Sequence, residues 1–317
     1  MGYNTGDKSD LSWSSYKKRN WTYPHVVSYM ESHDEERQMV FNNTWGNSSG
    51  SYDITIEGIG LKRICMSTLF HTIIPGPKMY WQFGELGYDY SINWPSGTGG
   101  DRLTPKPPKW DYYNNWQRRY VHDVTASLNK LKATQNAWET TDFQIDVYGA
   151  VKRVTLLHNE MNVVAIGNFD VVNKEVSIPF PNGGVWYNYF DQQSIDLGAN
   201  TSWSTTLEPG EFFLFTTVQL ENPDLGAGVG EVASQDGLMV YPNPVNDYLQ
   251  IVVPTGAKGR IEINVYDVNG RVVYSQQQYS FLNGLETRIP TRDFTGGLYV
   301  IQISTESRMH SQKFLKL

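Results

Sequence analysis

A single cysteine, Cys65, stands among 317 residues. No intrachain disulfide can form, and neither a thiolate zinc centre nor a disulfide-stapled scaffold is open to the chain. Charge is scarce as well: 19% of the residues are Asp, Glu, Lys or Arg, too few for a coiled coil or a charge-driven disordered tail. What charge there is leans acidic, 33 Asp and Glu against 26 Lys and Arg for a formal net of -7. The molecular field therefore repels polyphosphate, which argues against a nucleic-acid partner. No window approaches the roughly 20 consecutive apolar residues of a membrane helix, and the first ten residues lack the apolar core of a secretory signal. His-Glu-x-x-His and Cys-x-x-Cys are missing, and His25, His71, His122, His158 and His310 fall at no ligand spacing. Gly97-Thr-Gly-Gly100 leads into no Lys-Ser/Thr and is a loop rather than a phosphate cradle.

What remains is 39% hydrophobic and 14% aromatic, the composition of a packed protein, at a length that suits two or three domains. Composition changes near Gln135. Before it, Val26 to Met30 reads as a buried strand running into the polar stretch Glu31 to Arg37. Leu61, Ile64, Cys65 and Leu69 recur at helical spacing until Ile74-Pro-Gly-Pro77 stops the helix. Lys78 to Phe83 reads as a second strand, and Trp116, Tyr120, Val124, Leu128 and Leu131 mark one face of a second helix. Strand, helix, strand, helix is the unit of parallel α/β folds, where functional loops follow strand C-termini. After Gln135 the reading is all β: strands over 143–148, 151–158, 162–168, 175–179, 185–190 and 211–217, as in an antiparallel sandwich. Residues 219–237 are small, polar and glycine-rich, a linker. Beyond it Ile261, Ile263 and Val265 alternate with polar residues, and Asn269-Gly270 closes a hairpin.

His33 and Asp34 stand together where the first strand ends. An imidazole beside a carboxylate can hydrogen-bond sugar hydroxyls or stabilise a positively charged transition state. The same stretch, Glu31 to Arg37, equally suits a solvated helix N-terminus whose acids complement the dipole.

Three segments carry a resemblance. Tyr29-Met-Glu-Ser-His-Asp-Glu-Glu-Arg37 resembles the conserved region at the seventh barrel strand of the α-amylase family of glycoside hydrolases (family 13). Ile74 to Gly87 is similar to that family's eighth strand and its loop, and Lys106-Pro-Pro-Lys-Trp-Asp111 to the segment ahead of the eighth helix. The resemblance implies that residues 1–136 are the last two strand–helix units of a (β/α)8 TIM barrel and 137–218 an antiparallel β-sandwich of the α-amylase type. Asp34 would grip sugar hydroxyls at the cleavage point and His33 would stabilise the transition state beside it. Glu31 departs from the family's usual Asn, and Glu31, Arg37, Trp81, Glu85 and Tyr88 are the expected ligand contacts, each also suited to packing or loop anchoring. Glu35 and Glu36 match no catalytic position. The nucleophile and general acid of a retaining enzyme, two carboxyls about 5 to 5.5 Å apart, belong to earlier strands, so the chain alone is expected to be inactive. The implied substrates are α-glucans such as starch or glycogen. Ser32-His-Asp-Glu35 is also similar to glucan branching enzymes, and a non-catalytic glucan-binding surface protein stays open. Calcium is the one cofactor the resemblance brings in, with no ligand set legible.

Val240-Tyr-Pro-Asn-Pro-Val245, Val265 to Val273, Gly296-Gly-Leu-Tyr-Val300 and Lys313-Phe-Leu-Lys316 resemble a second family, the C-terminal sorting domain of the type IX (Por) secretion system of Bacteroidetes-type bacteria. Residues 238–317 are accordingly expected to form a small Ig-like β-sandwich that engages the secretion machinery. The parent protein would be secreted or attached to the cell surface.

Overall fold

The computed structural model describes residues 9–50, 52–223, 225, 238–241, 243–253, 259–280, 285–305 and 309–317. Its contacts divide the chain into two units, Met1–Gly226 and Ala227–Leu317. Most of the expected linker, 226–237, together with the first eight residues, Pro242 and the side chain of Trp116, lies outside the described residues.

The first unit begins with the expected alternation. Strand β1 (Ser28–Tyr29) leads to helix α1 (Gln38–Trp45), the small hairpin β2 (Ser48–Ser49) and β3 (Tyr52–Asp53), helix α2 (Glu57–Ile73), strand β4 (Lys78–Met79) and helix α3 (Trp116–Thr134). β1 and β4 pair in parallel, Ser28 opposite Lys78 and Tyr29 opposite Met79. Both strands are shorter than their apolar runs suggest. Among the described residues each has only the other as a neighbour, and past Met79 the chain turns off through Phe83, held at φ 61°. α1 begins directly after the Glu31–Arg37 stretch that also suited a helix N-terminus, and at eight residues, Gln-Met-Val-Phe-Asn-Asn-Thr-Trp, it is too short to show a helical period of its own.

α2 is enclosed on nearly every side, with Leu61, Ile64, Cys65 and Leu69 at 1% exposure or less. Pro75 ends it by forcing Ile74 into extended backbone. α3 starts at Asn115, whose side chain accepts from the backbone N–H of Gln117 and Arg118, a cap worth about 1 kcal/mol. Val121, Val124, Leu128 and Leu131 form its buried face.

Eight strands follow: β5 (Phe143–Asp146), β6 (Val151–Leu156), β7 (Val163–Asn168), β8 (Lys174–Pro179), β9 (Val185–Asn188), β10 (Ser194–Asp196), β11 (Ser202–Leu207) and β12 (Phe212–Thr216). They make a sheet of order β10-β9-β12-β7-β6-β5 and a two-stranded sheet β11-β8. β11 escaped the sequence reading because serine and threonine occupy four of its six positions, and β10 because it is three residues long. Every residue of β7 is buried, which accounts for its unbroken apolar run. Val164 and Ile166 join Ile178, Trp186, Leu207 and Phe215 between the sheets, whereas Val163 and Ala165 join the cluster that holds Leu69, Phe70, Val121 and Leu128. Helices and sandwich thus share one core. Contact at that seam is close: a Cβ on Gly167 would stand 2.9 Å from Phe70 Cε2.

Among the described residues the second unit has seven strands: β13 (Met239–Tyr241), β14 (Tyr248–Val253), β15 (Gly259–Tyr266), β16 (Val272–Ser280), β17 (Leu285–Pro290), β18 (Gly297–Ser304) and β19 (Met309–Lys316). Two antiparallel sheets, β13-β14-β17 and β16-β15-β18-β19, enclose Ile251, Ile263, Val265, Ile289, Ile301 and Phe314. The β15–β16 hairpin turns at Asn269-Gly270 as expected, with Gly270 at φ 77° and Asp267 Oδ1 accepting from Asn269 N at 2.9 Å and Arg271 N at 3.0 Å.

Candidate functional site

The polar stretch that follows β1 forms a loop, closed at its base by Glu31. This carboxylate is buried and accepts from the backbone N–H of Gln38, the first residue of α1, at 3.0 Å. Its other oxygen lies 3.5 Å from Arg37 Nη1. Gly84 makes room for it, since a Cβ there would stand 2.9 Å from Glu31 Oε2. Burial pushes the Glu31 carboxyl up to about 7, against the opposing pull of the Gln38 N–H and the Arg37 charge and with help from Glu85. Inside the loop the Ser32 hydroxyl accepts from Asp34 N at 3.0 Å and donates to the Glu35 carboxylate. Glu36 fastens the loop's far side by accepting from Ile92 N at 3.0 Å and Ser91 Oγ at 2.5 Å.

His33 and Asp34 are displayed at the tip. Their side chains are 71% and 62% exposed, with His33 Nε2 3.2 Å from Asp34 Oδ2. The second carboxylate oxygen, Oδ1, meets Arg102 Nη2 at 3.1 Å, and the same nitrogen donates to the Asp34 carbonyl. The His33 ring lies 5.7 Å from that of Trp81. Trp81 and Glu85 are half-buried and line a shallow crevice with Met30, Glu31, Thr68 and Met79. The loop, with the pair at its tip, follows the C-terminal end of a parallel strand, and the pair shares an open surface with one indole.

Glu31, Arg37 and Tyr88, expected as ligand contacts, lie underneath that surface. Arg37 is buried with its guanidinium 5.1 Å from the Tyr88 ring, and the Tyr88 hydroxyl donates to the carbonyl of Pro107 at 2.6 Å. Their geometry braces the loop, and of the three Glu31 alone borders the crevice. Arg102 is the residue that sequence reasoning missed. It sits in an irregular loop 68 positions from Asp34, and no periodicity or motif links the two.

Among the described residues no group of three or more His, Cys, Asp or Glu side chains is arranged to hold a metal ion. The acids present therefore do not fit calcium as a cluster, and no step is assigned to it. No helix among the described residues is long and apolar enough to cross a membrane.

Comparison with known proteins divides along the chain. Among solved structures the fold is similar to AmyP in complex with maltose (12% identity, 64% of this chain and 43% of that chain, TM-score 0.50). It is also similar to an Anoxybacillus α-amylase (12% identity, 69% and 45%, TM-score 0.48) and to CldA, a cyclomaltodextrin glucanotransferase (14% identity, 64% and 39%, TM-score 0.47). At such identities the likeness concerns fold alone. The chain spans less than half the length of each of these proteins. No curated protein matches it. The family model described as a secretion system C-terminal sorting domain matches residues 239–316. Those residues are a secretion C-terminal sorting domain, and a chain that carries one is addressed to the cell exterior, released or held at the surface.

Proposed function

We propose that the chain is the C-terminal part of a secreted α-amylase-family glycoside hydrolase acting on α-glucans by a retaining mechanism. In this reading residues 1–136 are the last two strand–helix units of a (β/α)8 barrel, 137–218 the C-terminal sandwich, 219–237 a linker and 238–317 an Ig-like sorting domain read by the type IX machinery. The single observation that carries it is the His33–Asp34 pair, exposed side by side beyond the C-terminal end of β1 and next to Trp81. A fold like that of a protein solved with maltose supports it.

The roles follow from the contacts. Asp34 is held from both sides, by His33 on Oδ2 and Arg102 on Oδ1, yet remains open enough to accept hydrogen bonds from two neighbouring sugar hydroxyls. His33 Nδ1, the ring nitrogen turned away from Asp34, can accept from a sugar hydroxyl, a hydrogen bond that strengthens as positive charge moves through the sugar ring. Trp81 offers a flat face for sugar C–H groups. Nucleophile and general acid come from strands other than β1 and β4, so the chain by itself binds glucan and cleaves none.

Calorimetric titration of the full chain with maltoheptaose tests this. Binding should be measurable, at least tenfold weaker in Asp34→Ala, and accompanied by no new reducing ends. Equal affinity in Asp34→Ala would overturn the site. A second reading, branching transfer, is favoured by Ser32-His-Asp-Glu35. Products of the parent protein separate the two, since hydrolysis makes reducing ends and transfer makes none.

A further inference from the structure

Trp110 is 74% exposed, more than Trp13, Trp21 or Trp45. It opens a single turn, Trp110–Asn114, and that turn is firmly held. Tyr112 donates its hydroxyl to Asp89, and the Arg118 guanidinium lies 3.9 Å from the centre of the Tyr112 ring. The indole itself meets Phe83 edge to face, ring centres 4.9 Å apart at 80°. A fixed element thus holds a large apolar side chain out in water and forgoes the gain of burying it. Packing gives no reason for that.

The same buried block carries Trp81. The Arg37 guanidinium lies 5.9 Å from the Trp81 ring and 5.1 Å from that of Tyr88, and Tyr88 stacks on Phe83 at 5.6 Å. Arg37, Tyr88 and Phe83 are all buried, so the two indoles emerge from one stack. The chain leading to Trp110 follows the same course. Arg102 reaches Asp34 Oδ1 at 3.1 Å, Pro107 accepts from the Tyr88 hydroxyl at 2.6 Å, and Trp110 comes just after it.

We propose that Trp110 is a second sugar platform of the site at His33 and Asp34, taking glucose units beyond those that Asp34 holds and so setting a preference for long α-glucan over short. The inference rests on the glucan reading of that site and adds the length of substrate it selects. Two contacts along one polymer reinforce each other, because the first raises the local concentration of the second. The neighbours of Trp110 argue for a sugar over a protein. Lys109 and Asp111 flank it and pair at 3.0 Å, with Asp111 65% exposed. An apolar ring between hydrogen-bonding groups matches a pyranose, apolar on its C–H faces and polar around its edge, whereas a protein partner calls for a contiguous apolar patch.

Calorimetric titration of the full chain with maltotriose and with maltoheptaose tests the proposal. The unaltered chain should bind maltoheptaose about tenfold more tightly than maltotriose. Trp110→Ala should bring the two affinities together by weakening maltoheptaose alone, and Trp110→Phe should keep part of the difference. Trp21→Ala, which removes an exposed indole elsewhere, should leave the difference intact. Asp34→Ala should weaken both sugars alike. Equal affinity for the two sugars in the unaltered chain, a length preference that survives Trp110→Ala, or a loss that maltotriose shares overturns the second platform, while weakening in Asp34→Ala keeps the site itself. Asp34→Ala that binds both sugars as the unaltered chain does, or an unaltered chain that binds neither, overturns the glucan reading and the second platform together.

Discussion

Arg118 on α3 reaches Glu57 in the first turn of α2, Nη2 to Oε1 at 2.7 Å, and the same nitrogen lies 2.9 Å from Asp89 Oδ2. Its other terminal nitrogen donates to the carbonyls of Leu86 and Gly87. One buried guanidinium therefore joins two helices to the loop that carries Tyr88. Arg118→Met should cost about 2–3 kcal/mol, since it orphans buried carbonyls as well as the ion pairs. Glu57 is half exposed, and Glu57→Gln should cost less than about 1 kcal/mol. Urea unfolding of the two variants measures the contrast; equal losses would contradict this arrangement.

Gly167 faces Phe70 at the helix–sandwich seam. Gly167→Ala should destabilise by about 1–3 kcal/mol through overpacking. Phe70→Leu on that background should recover part of the loss, and thermal melts of the double variant are the measurement.

Lys152 is fully buried on the helix-facing side of the large sheet, opposite Gly167, its ammonium donating to the carbonyls of Val147 at 2.8 Å and Gly149 at 2.7 Å. Lys152→Met keeps most of the volume and leaves those carbonyls without their donor. A loss of about 2 kcal/mol is expected, together with faster amide exchange around the turn between β5 and β6.

Glu31 gives stability a pH slope. Its carboxyl sits near 7 in the fold against 4.5 for an ordinary glutamate, so between those values the folded chain holds the proton more tightly than the unfolded one. The contribution is complete below about 4.5 and is lost as pH rises through about 7. Glu31→Gln should flatten the stability profile over that window relative to the unaltered chain. Denaturant midpoints at pH 5 and pH 7 report it, and an unchanged difference would refute the burial of this acid.

Legibility differed by element for physical reasons. The α2 positions Leu61, Ile64, Cys65 and Leu69, and the α3 positions Val124, Leu128 and Leu131, show in the sequence because packing on one face imposes a period. β7 shows as an apolar run because both of its faces are covered. β11 hides because its outward serines and threonines dilute the signal. At the candidate site, His33 and Asp34 are adjacent in the chain and were visible as a pair. The contact of Asp34 with Arg102 depends on how a long irregular loop returns to the surface, and nothing local encodes it. Burial likewise separates Glu31 and Arg37 from His33, two and four positions away, although all three are polar.

The core shared by α2 and β7 bears on how the molecule can be divided by hand. Cutting a gene between α3 and β5 would strip apolar cover from both products at once, exposing Phe70 on one and Val163 and Ala165 on the other. Expression of the helical portion or the sandwich as separate pieces should yield insoluble material, while a cut beyond Leu225 keeps both layers and the two leucines packed on them, Leu220 and Leu225, in one piece.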